Sequence, residues 1–205
     1  PLMPALYALG QHPALGAVQD TLRPGEHLFA FLGDVYAICE PDRARFIFDQ
    51  LAIQLHHHCG ISINLGKTRV WNAAGIEPEG FASMGTPEQP AWVGNRDLPV
   101  QQQGLMVLGT PHGHQAYVAT RMQEIAAEHA QLLTALHALP ELQSSWLLLS
   151  LCASTRANYY LRTLPPSQSA AFAVQHDEAM HAALSSLLDG PTAASETLQR
   201  AAAVA

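Results

Sequence analysis

The sequence predicts an α+β fold, in which a small sheet packed on helices comes first and an all-helical block follows. The first observation is a pair of apolar, strand-forming runs, 28–32 and 35–39, separated by Gly33-Asp34. Gly tolerates a positive φ and Asp hydrogen-bonds within its own turn, so this pattern is typical of a β-hairpin. The second is the change after His114, where apolar residues recur every three or four positions, as they do in amphipathic helices.

The composition indicates a globular protein without a strongly basic surface. The 205 residues are 48% hydrophobic and 13% charged, with a formal charge of -7. Nucleic acids are bound chiefly through Lys and Arg, so an acidic chain is not expected to grip them unaided. Cys39, Cys59 and Cys152 lie far apart within apolar runs and are expected to be reduced core residues.

The start of the chain and its apolar runs indicate in which cellular compartment the protein is expected. No secretory signal pattern opens it, and the longest apolar run, 146–153, is too short to cross a bilayer. We therefore predict a nuclear or cytoplasmic protein with no membrane partner. The chain opens on Pro1 inside an apolar segment, and we expect it to be a piece of something longer.

The elements of the first half follow from periodicity and turn residues. The second helix starts at Glu40-Pro41-Asp42, ends at Gly60, and has an apolar face predicted to pack on the sheet. Segment 72–99 lacks periodicity and is rich in Gly and Pro, so it predicts a long loop. The other predictions are a helix over 4–22 with a kink near His12, strands over 61–65 and 67–71, and a short buried strand over 104–109.

The second half predicts three helices, separated by prolines that cannot continue a helix. One face of the first carries Met122, Ile125, Ala126, His129, Leu132, Leu133 and Leu136. The predicted helices span 117–139, 141–160 and 169–188, and the Ala-rich tail 189–205 is predicted to fray.

Histidines form three groups that need weighing as metal sites. His56, His57 and His58 are consecutive on a helix and fan out around it, so they cannot close on one ion, and a solvated helix end is the preferred interpretation. His112 and His114 have no Cys or acid beside them. The group 176–178, His-Asp-Glu, is interpreted as a solvated helix face.

Four stretches, in order, resemble successive blocks of the reverse transcriptases of non-LTR retrotransposons. Residues 1–9 resemble the end of the block that carries Gly-Asp-Pro-Leu-x-Pro, and 30–36 resemble the aromatic-x-Asp-Asp hairpin of the palm. Residues 63–68 resemble the Asn/Gly-x-Lys-Thr block, and 107–113 resemble the Leu-Gly-x-x-x-Gly primer grip. The resemblance implies a partial palm over 1–113, a helical thumb-like region over 114–188 and the tail 189–205.

The chemistry that this resemblance implies is nucleotidyl transfer by two Mg²⁺ ions, with an RNA template and a DNA primer as partners. Asp34 matches the second hairpin aspartate, a catalytic metal ligand. Lys67 matches the lysine that serves the leaving group, and Leu108 and Gly109 match the strand that steadies the primer. From its residue type and position, Arg69 is a candidate for a small nucleic-acid patch beside Lys67, although an ordinary exposed turn explains that stretch equally well.

Two departures from the family indicate that the chain is inactive. Gly33 stands where the family has its first hairpin aspartate, and the strand with the partner aspartate would lie in an upstream palm and fingers segment, before Pro1. We therefore expect Mg²⁺ not to bind productively and the exposed apolar edge of the sheet to promote self-association. The alternatives are a non-catalytic module, derived from a retroelement, that binds nucleic acid or protein, and a translated remnant with no function.

Overall fold

The computed structural model describes residues 3–86 and 89–188, so the predicted frayed tail, 189–205, lies outside the described residues. The fold is mixed α+β, about 58% helical, with small antiparallel sheets. The general α+β class is thus confirmed. The chain divides into two compact units, Pro1–Leu105 and Met106–Ala205, and each is described by itself.

The elements are named in chain order. They are α1 (Met3–Gln19), β1 (His27–Phe31), β2 (Asp34–Ile38), α2 (Ala44–Cys59), β3 (Gly85–Thr86), β4 (Gln89–Pro90), β5 (Gly104–Val107), β6 (Thr110–Gly113), α3 (Gln115–His137), α4 (Leu142–Leu148), α5 (Ala157–Thr163) and α6 (Pro166–Leu188). A 3₁₀ turn, Pro41–Arg43, precedes α2, and another spans Val100–Gln102.

The predicted hairpin forms, but its turn lies one residue earlier than expected. In the antiparallel register of β1 and β2, Phe31 pairs with Asp34, so the two-residue turn is Leu32-Gly33. Leu32 has a φ of 55°, in the left-handed region that a tight hairpin turn demands. The prediction that Gly33-Asp34 makes the turn is wrong, because the register places Asp34 in the strand.

The sheet of this hairpin is exposed rather than buried. It has two strands, and Phe29, Phe31 and Ile38 are 53%, 57% and 58% exposed. Side chains alternate along a strand, so the pairing of His27 with Ile38 puts all three apolar residues on one face. The sequence predicts a sheet packed on helices, but this face of the hairpin is not covered in the described part of the chain.

Helices α1 and α2 pack against each other and form the core of the first unit. Ala14 and Val18 of α1 and Ile47 and Leu55 of α2 are all buried. The prediction that α2 packs on the sheet is wrong, because a two-stranded hairpin offers little surface and α1 covers that face instead. Gly60 ends α2 with a φ of 64°, as predicted.

Segment 61–99 differs most from the predictions. The strands predicted over 61–65 and 67–71 do not form, and Val70 makes only an isolated parallel bridge to Trp92. The Val70 N–H donates to Ala91 O at 2.7 Å, and the Val93 N–H donates to Val70 O at 2.9 Å. Phe81, Ala91 and Trp92 are buried, so the predicted long loop is a packed part of the first unit. A five-residue segment in which apolar and polar residues alternate does not form a strand unless a neighbouring strand pairs with it.

A further hairpin, β5–β6, follows the short antiparallel pair β3–β4. The strand predicted over 104–109 extends from Gly104 to Val107, and Leu108-Gly109 makes the turn to β6. The two turn residues have φ values of 50° and 82°, both left-handed. This two-residue turn is the geometry that hairpins favour.

In the second unit α3 and α6 pack together around two apolar clusters. The predicted inner face of α3 is confirmed, because Met122, Ala126, Leu133 and Leu136 are buried. The helix predicted over 141–160 is divided into α4, a π-helical stretch (Leu149–Ala153), a 3₁₀ turn (Ser154–Arg156) and α5. Helix α6 starts at Pro166, three residues earlier than predicted, because Pro is well accommodated in the first helical turn.

The three cysteines are free, as predicted, but they are not all in the core. Cys39 and Cys59 are half-buried and Cys152 is exposed, which corrects the expectation for Cys152. Burial raises the pKa of the Cys39 thiol. Among residues 3–86 and 89–188, no helix combines the length and the apolar character that crossing a bilayer requires.

Candidate functional site

The hairpin of the first unit presents Asp34 to solvent. It is the first residue of β2 and is exposed, directly after the turn. A Cβ added at Gly33 would lie 3.6 Å from Cε1 of Tyr7, so the turn lies beside α1. Within the described ranges, no ion pair involves Asp34, and no group of three or more His, Cys, Asp or Glu side chains is placed to hold a metal ion.

The predicted basic pair lies in the turn that follows α2. Lys67 is exposed, and its backbone N–H donates to Asn64 O at 3.1 Å. The Arg69 guanidinium donates to the carbonyls of Gly66 and Thr68 at 2.8 and 2.7 Å, and to Gln89 Oε1 at 3.2 Å. Arg69 therefore braces its own loop. A role for either residue in binding nucleic acid stays a prediction.

In the second unit, the turn that matches the primer-grip motif is held by a hydroxyl network. The Tyr159 hydroxyl donates to the carbonyl of Leu108. The Thr110 hydroxyl is buried at the start of β6, 3.2 Å from the Tyr159 hydroxyl and 3.1 Å from that of Thr163. Gly109 lies beside the Tyr159 ring. Helix α5 thus fixes the Leu108-Gly109 turn. The contacting residues are some fifty positions apart in the chain, so no local sequence signal reveals this contact.

The five predicted site residues are divided between the two compact units. Leu108 and Gly109 share a turn in the second unit, and Asp34, Lys67 and Arg69 belong to the first. No hydrogen bond or ion pair joins the side chains of Asp34 and Lys67 in the part of the chain that the structure describes. The roles that the resemblance implies for Asp34, Lys67, Leu108 and Gly109, and the separate role of Arg69 in a nucleic-acid patch, stay predictions.

The histidine groups behave differently from one another. His56, His57 and His58 are exposed at the end of α2, as predicted. His114 caps α3, because its Nδ1 accepts from the N–H of Ala116 at 3.1 Å. This capping role gives His114 a structural reason to be where it is.

His176 corrects the prediction of a solvated 176–178 face. Asp177 and Glu178 are exposed, but His176 is buried. Its ring lies 5.7 Å from that of His129 on α3, centroid to centroid, and stacks on Phe172 at 6.0 Å. The four-residue spacing of Phe172 and His176 is a helical signal that could have revealed this burial.

Burial governs the ionisation of this aromatic cluster. Burial lowers the pKa of His129, the neighbouring Arg156 and His176 lower it further, and Glu128 raises it. Burial also raises the pKa of the Tyr160 hydroxyl. These surroundings therefore favour the neutral forms of His129 and Tyr160.

Comparisons of the chain with protein-family models, with curated proteins and with solved structures gave no match.

Proposed function

We propose that this chain is a segment of an RNA-directed DNA polymerase lineage, of the non-LTR reverse transcriptase kind, that does not itself transfer nucleotides. The observation that carries the proposal is the hairpin at residues 27–38. Its turn contains Gly33, and its second strand begins with the exposed carboxylate of Asp34. The β5–β6 hairpin, with Leu108-Gly109 in its turn, and the helical block follow in the order that the four resembling blocks require.

The chemistry explains why the proposal includes inactivity. Two-metal nucleotidyl transfer needs carboxylates from neighbouring strands to hold two ions about 3.5–4 Å apart. Gly33 has no side chain to offer, and β1–β2 is a sheet of two strands in the described residues. Asp34 can contribute one carboxylate, and Mg²⁺ held by one exposed carboxylate keeps most of its water and binds weakly.

The proposed partners follow from the same lineage. They are the RNA template with its DNA primer, and the upstream palm and fingers segment of the parent protein. The exposed apolar face formed by Phe29, Phe31 and Ile38 supports this, because antiparallel sheets commonly pack one face on a core, which the upstream segment would supply. Lys67 and the Leu108-Gly109 turn would contribute to the parent's site only when those segments are supplied.

Primer extension tests the proposal. The chain is given an RNA template, a DNA primer, deoxynucleotides and either Mg²⁺ or Mn²⁺, and we expect no extension. Extension that Asp34→Ala abolishes and Asp42→Ala preserves would overturn the assignment of inactivity. Asp42 is the matched control because it is an exposed acid in the turn before α2.

A gain-of-binding variant tests the lineage separately. A side chain at Gly33 meets only Tyr7, at an ordinary contact distance of 3.6 Å, so Gly33→Asp fits the turn. This substitution places two carboxylates at the tip of the hairpin, as in the reverse transcriptase family that the sequence resembles. We expect Mn²⁺ to broaden the NMR signals of residues 33–35 at lower metal concentration in Gly33→Asp than in the unchanged chain. Equal broadening would count against a metal-binding ancestry for this hairpin.

The second candidate is a non-catalytic module that binds a protein through its helical block. Trp146 and Leu147 of α4 and Leu151 of the π-helical stretch are exposed. Residues 106–188 contain three arginines, no lysine and five acidic residues, a balance that disfavours binding to phosphates. Binding to an RNA/DNA hybrid that falls steeply with salt would favour the polymerase lineage. Salt-insensitive binding to a protein, lost in Trp146→Ala with Leu151→Ala, would favour the module.

A further inference from the structure

The second unit contains a pair of histidines that the proposed function does not use. His129 of α3 and His176 of α6 lie with ring centroids 5.7 Å apart and an angle of 71° between their planes. Phe172 contacts both rings, at 5.8 Å from His129 and 6.0 Å from His176, and is itself buried. The two imidazoles are therefore held in place by packing.

Each ring has a buried nitrogen without a hydrogen-bond partner in the structure. These atoms are Nδ1 of His129 and Nε2 of His176. The rings therefore do not hydrogen-bond to each other through these atoms. Buried polar atoms nearly always have a partner, so each of these nitrogens is expected to contact one, such as a water molecule or a metal ion.

The ring separation fits a shared ion. Histidine nitrogens bind Zn²⁺ at about 2.0–2.1 Å, which places the centroids of two rings on one ion roughly 5–6.5 Å apart. We propose that His129 and His176 form a two-histidine site for a divalent transition-metal ion, with Zn²⁺ as the expected occupant and water completing its coordination. Imidazole suits Zn²⁺, Cu²⁺ and Ni²⁺, whereas Mg²⁺ prefers oxygen ligands.

The residues around the two histidines affect how well this site can bind a metal ion. A metal ligand must be a neutral imidazole, and burial among Phe172 and Tyr160 favours that form. The titratable groups that act on His129 are Arg156 from the 3₁₀ turn before α5, His176 of α6 and Glu128 from its own helix. Glu128 attracts a cation and Arg156 repels it, so we expect modest affinity.

The test uses the full chain and Zn²⁺ alone. His56, His57 and His58 are first replaced together by Gln, so that these exposed histidines cannot provide the signal. Zn²⁺ binding is measured by calorimetry at pH 7.5 in this background and after His129→Gln or His176→Gln. The matched controls are His137→Gln on α3 and His181→Gln on α6, because both side chains are exposed.

We expect one Zn²⁺ per chain and a loss of about tenfold or more in affinity in His129→Gln and in His176→Gln, with no change in the controls. A second measurement does not depend on the folding of those variants: Co²⁺ added to the background chain should shift the proton signals of Phe172 and Tyr160. No Zn²⁺ binding, equal affinity in all four variants, or unshifted ring signals would overturn the proposal and leave a bridging water as the occupant.

Discussion

Nε of Arg43 lies 3.2 Å from Oε1 of Glu26, and both side chains are largely removed from solvent. Arg43 also donates to the carbonyl of Thr21 at 2.9 Å, and its guanidinium lies 4.2 Å from the centroid of the Phe46 ring. The N–H of Arg23 donates to Glu26 Oε2 at 2.8 Å. This network joins the turn before β1 to the turn before α2 and so holds the base of the hairpin.

The network predicts a stability effect for Arg43→Gln. The change leaves the Glu26 carboxylate buried without its cation, which is costly, so the first unit should melt at a lower temperature. Asp42→Asn is the control, because it removes the exposed Arg23–Asp42 pair, 3.9 Å apart, and exposed pairs contribute little. Thermal unfolding followed by circular dichroism measures both. Equal melting temperatures for the two variants would contradict this prediction.

Glu26 also predicts a dependence of stability on acid. The N–H of Arg23, and then Arg43, lower the pKa of Glu26 below its ordinary value of 4.5, although burial opposes them. The unfolded chain therefore binds this proton more readily, so the stability from Glu26 is present above pH 4.5 and is lost as the pH falls below it. Glu26→Gln should flatten that loss, measured by hydrogen exchange of first-unit amides between pH 3 and 6. An unchanged slope would show that other groups control it.

His129 predicts a separate acid effect at higher pH. Burial, Arg156 and His176 hold its pKa below the ordinary value of 6.5, so the folded second unit resists protonation. Stability of this unit should therefore be complete above pH 6.5 and fall as the pH drops below it. His129→Gln should remove this step from urea unfolding curves measured from pH 7.5 to 5. The exposed His137→Gln should leave it in place, and loss of the step in that control would contradict the assignment.

The exposed hairpin predicts self-association. Phe29, Phe31 and Ile38 share one face, and the two strands have no further neighbour in the described residues, so the sheet offers apolar surface and unpaired edges. Phe29→Lys with Phe31→Lys should shift the chain towards monomer in analytical ultracentrifugation at tens of micromolar. Ile53→Lys with Ile76→Lys adds the same charge at exposed apolar positions elsewhere. Equal shifts in both double variants would assign the effect to net charge.

Leu32 predicts a stabilising substitution. Its φ of 55° is unfavourable for a branched side chain and suits Asn or Gly. Relief of a left-handed conformation contributes about 1 kcal/mol, so Leu32→Asn should slow hydrogen exchange of the β1–β2 amides by roughly that free energy. Leu65→Asn is the control, an exposed Leu in a turn without a positive φ. Faster exchange in Leu32→Asn would indicate that the Leu side chain supports the turn.

Local patterns were sufficient to predict the hairpin at 27–38, the end of α2 at Gly60 and the inner face of α3. Each depends on residues close together in the chain: a turn between two apolar runs, a glycine that accepts a left-handed φ, and apolar positions at helical spacing. The polymerase kinship rests on the same kind of short pattern. No match among known proteins supports it, and it remains a proposal.

Contacts between distant residues decided the rest. Residues 61–71 form no strand, because alternation needs a pairing partner and Val70 meets only Trp92. The Leu108 carbonyl is held by Tyr159, and His176 is buried against His129, each across dozens of residues. A short stretch of sequence determines the backbone conformations that its own residues prefer. Burial and strand pairing also depend on which distant residues pack against that stretch in the folded chain.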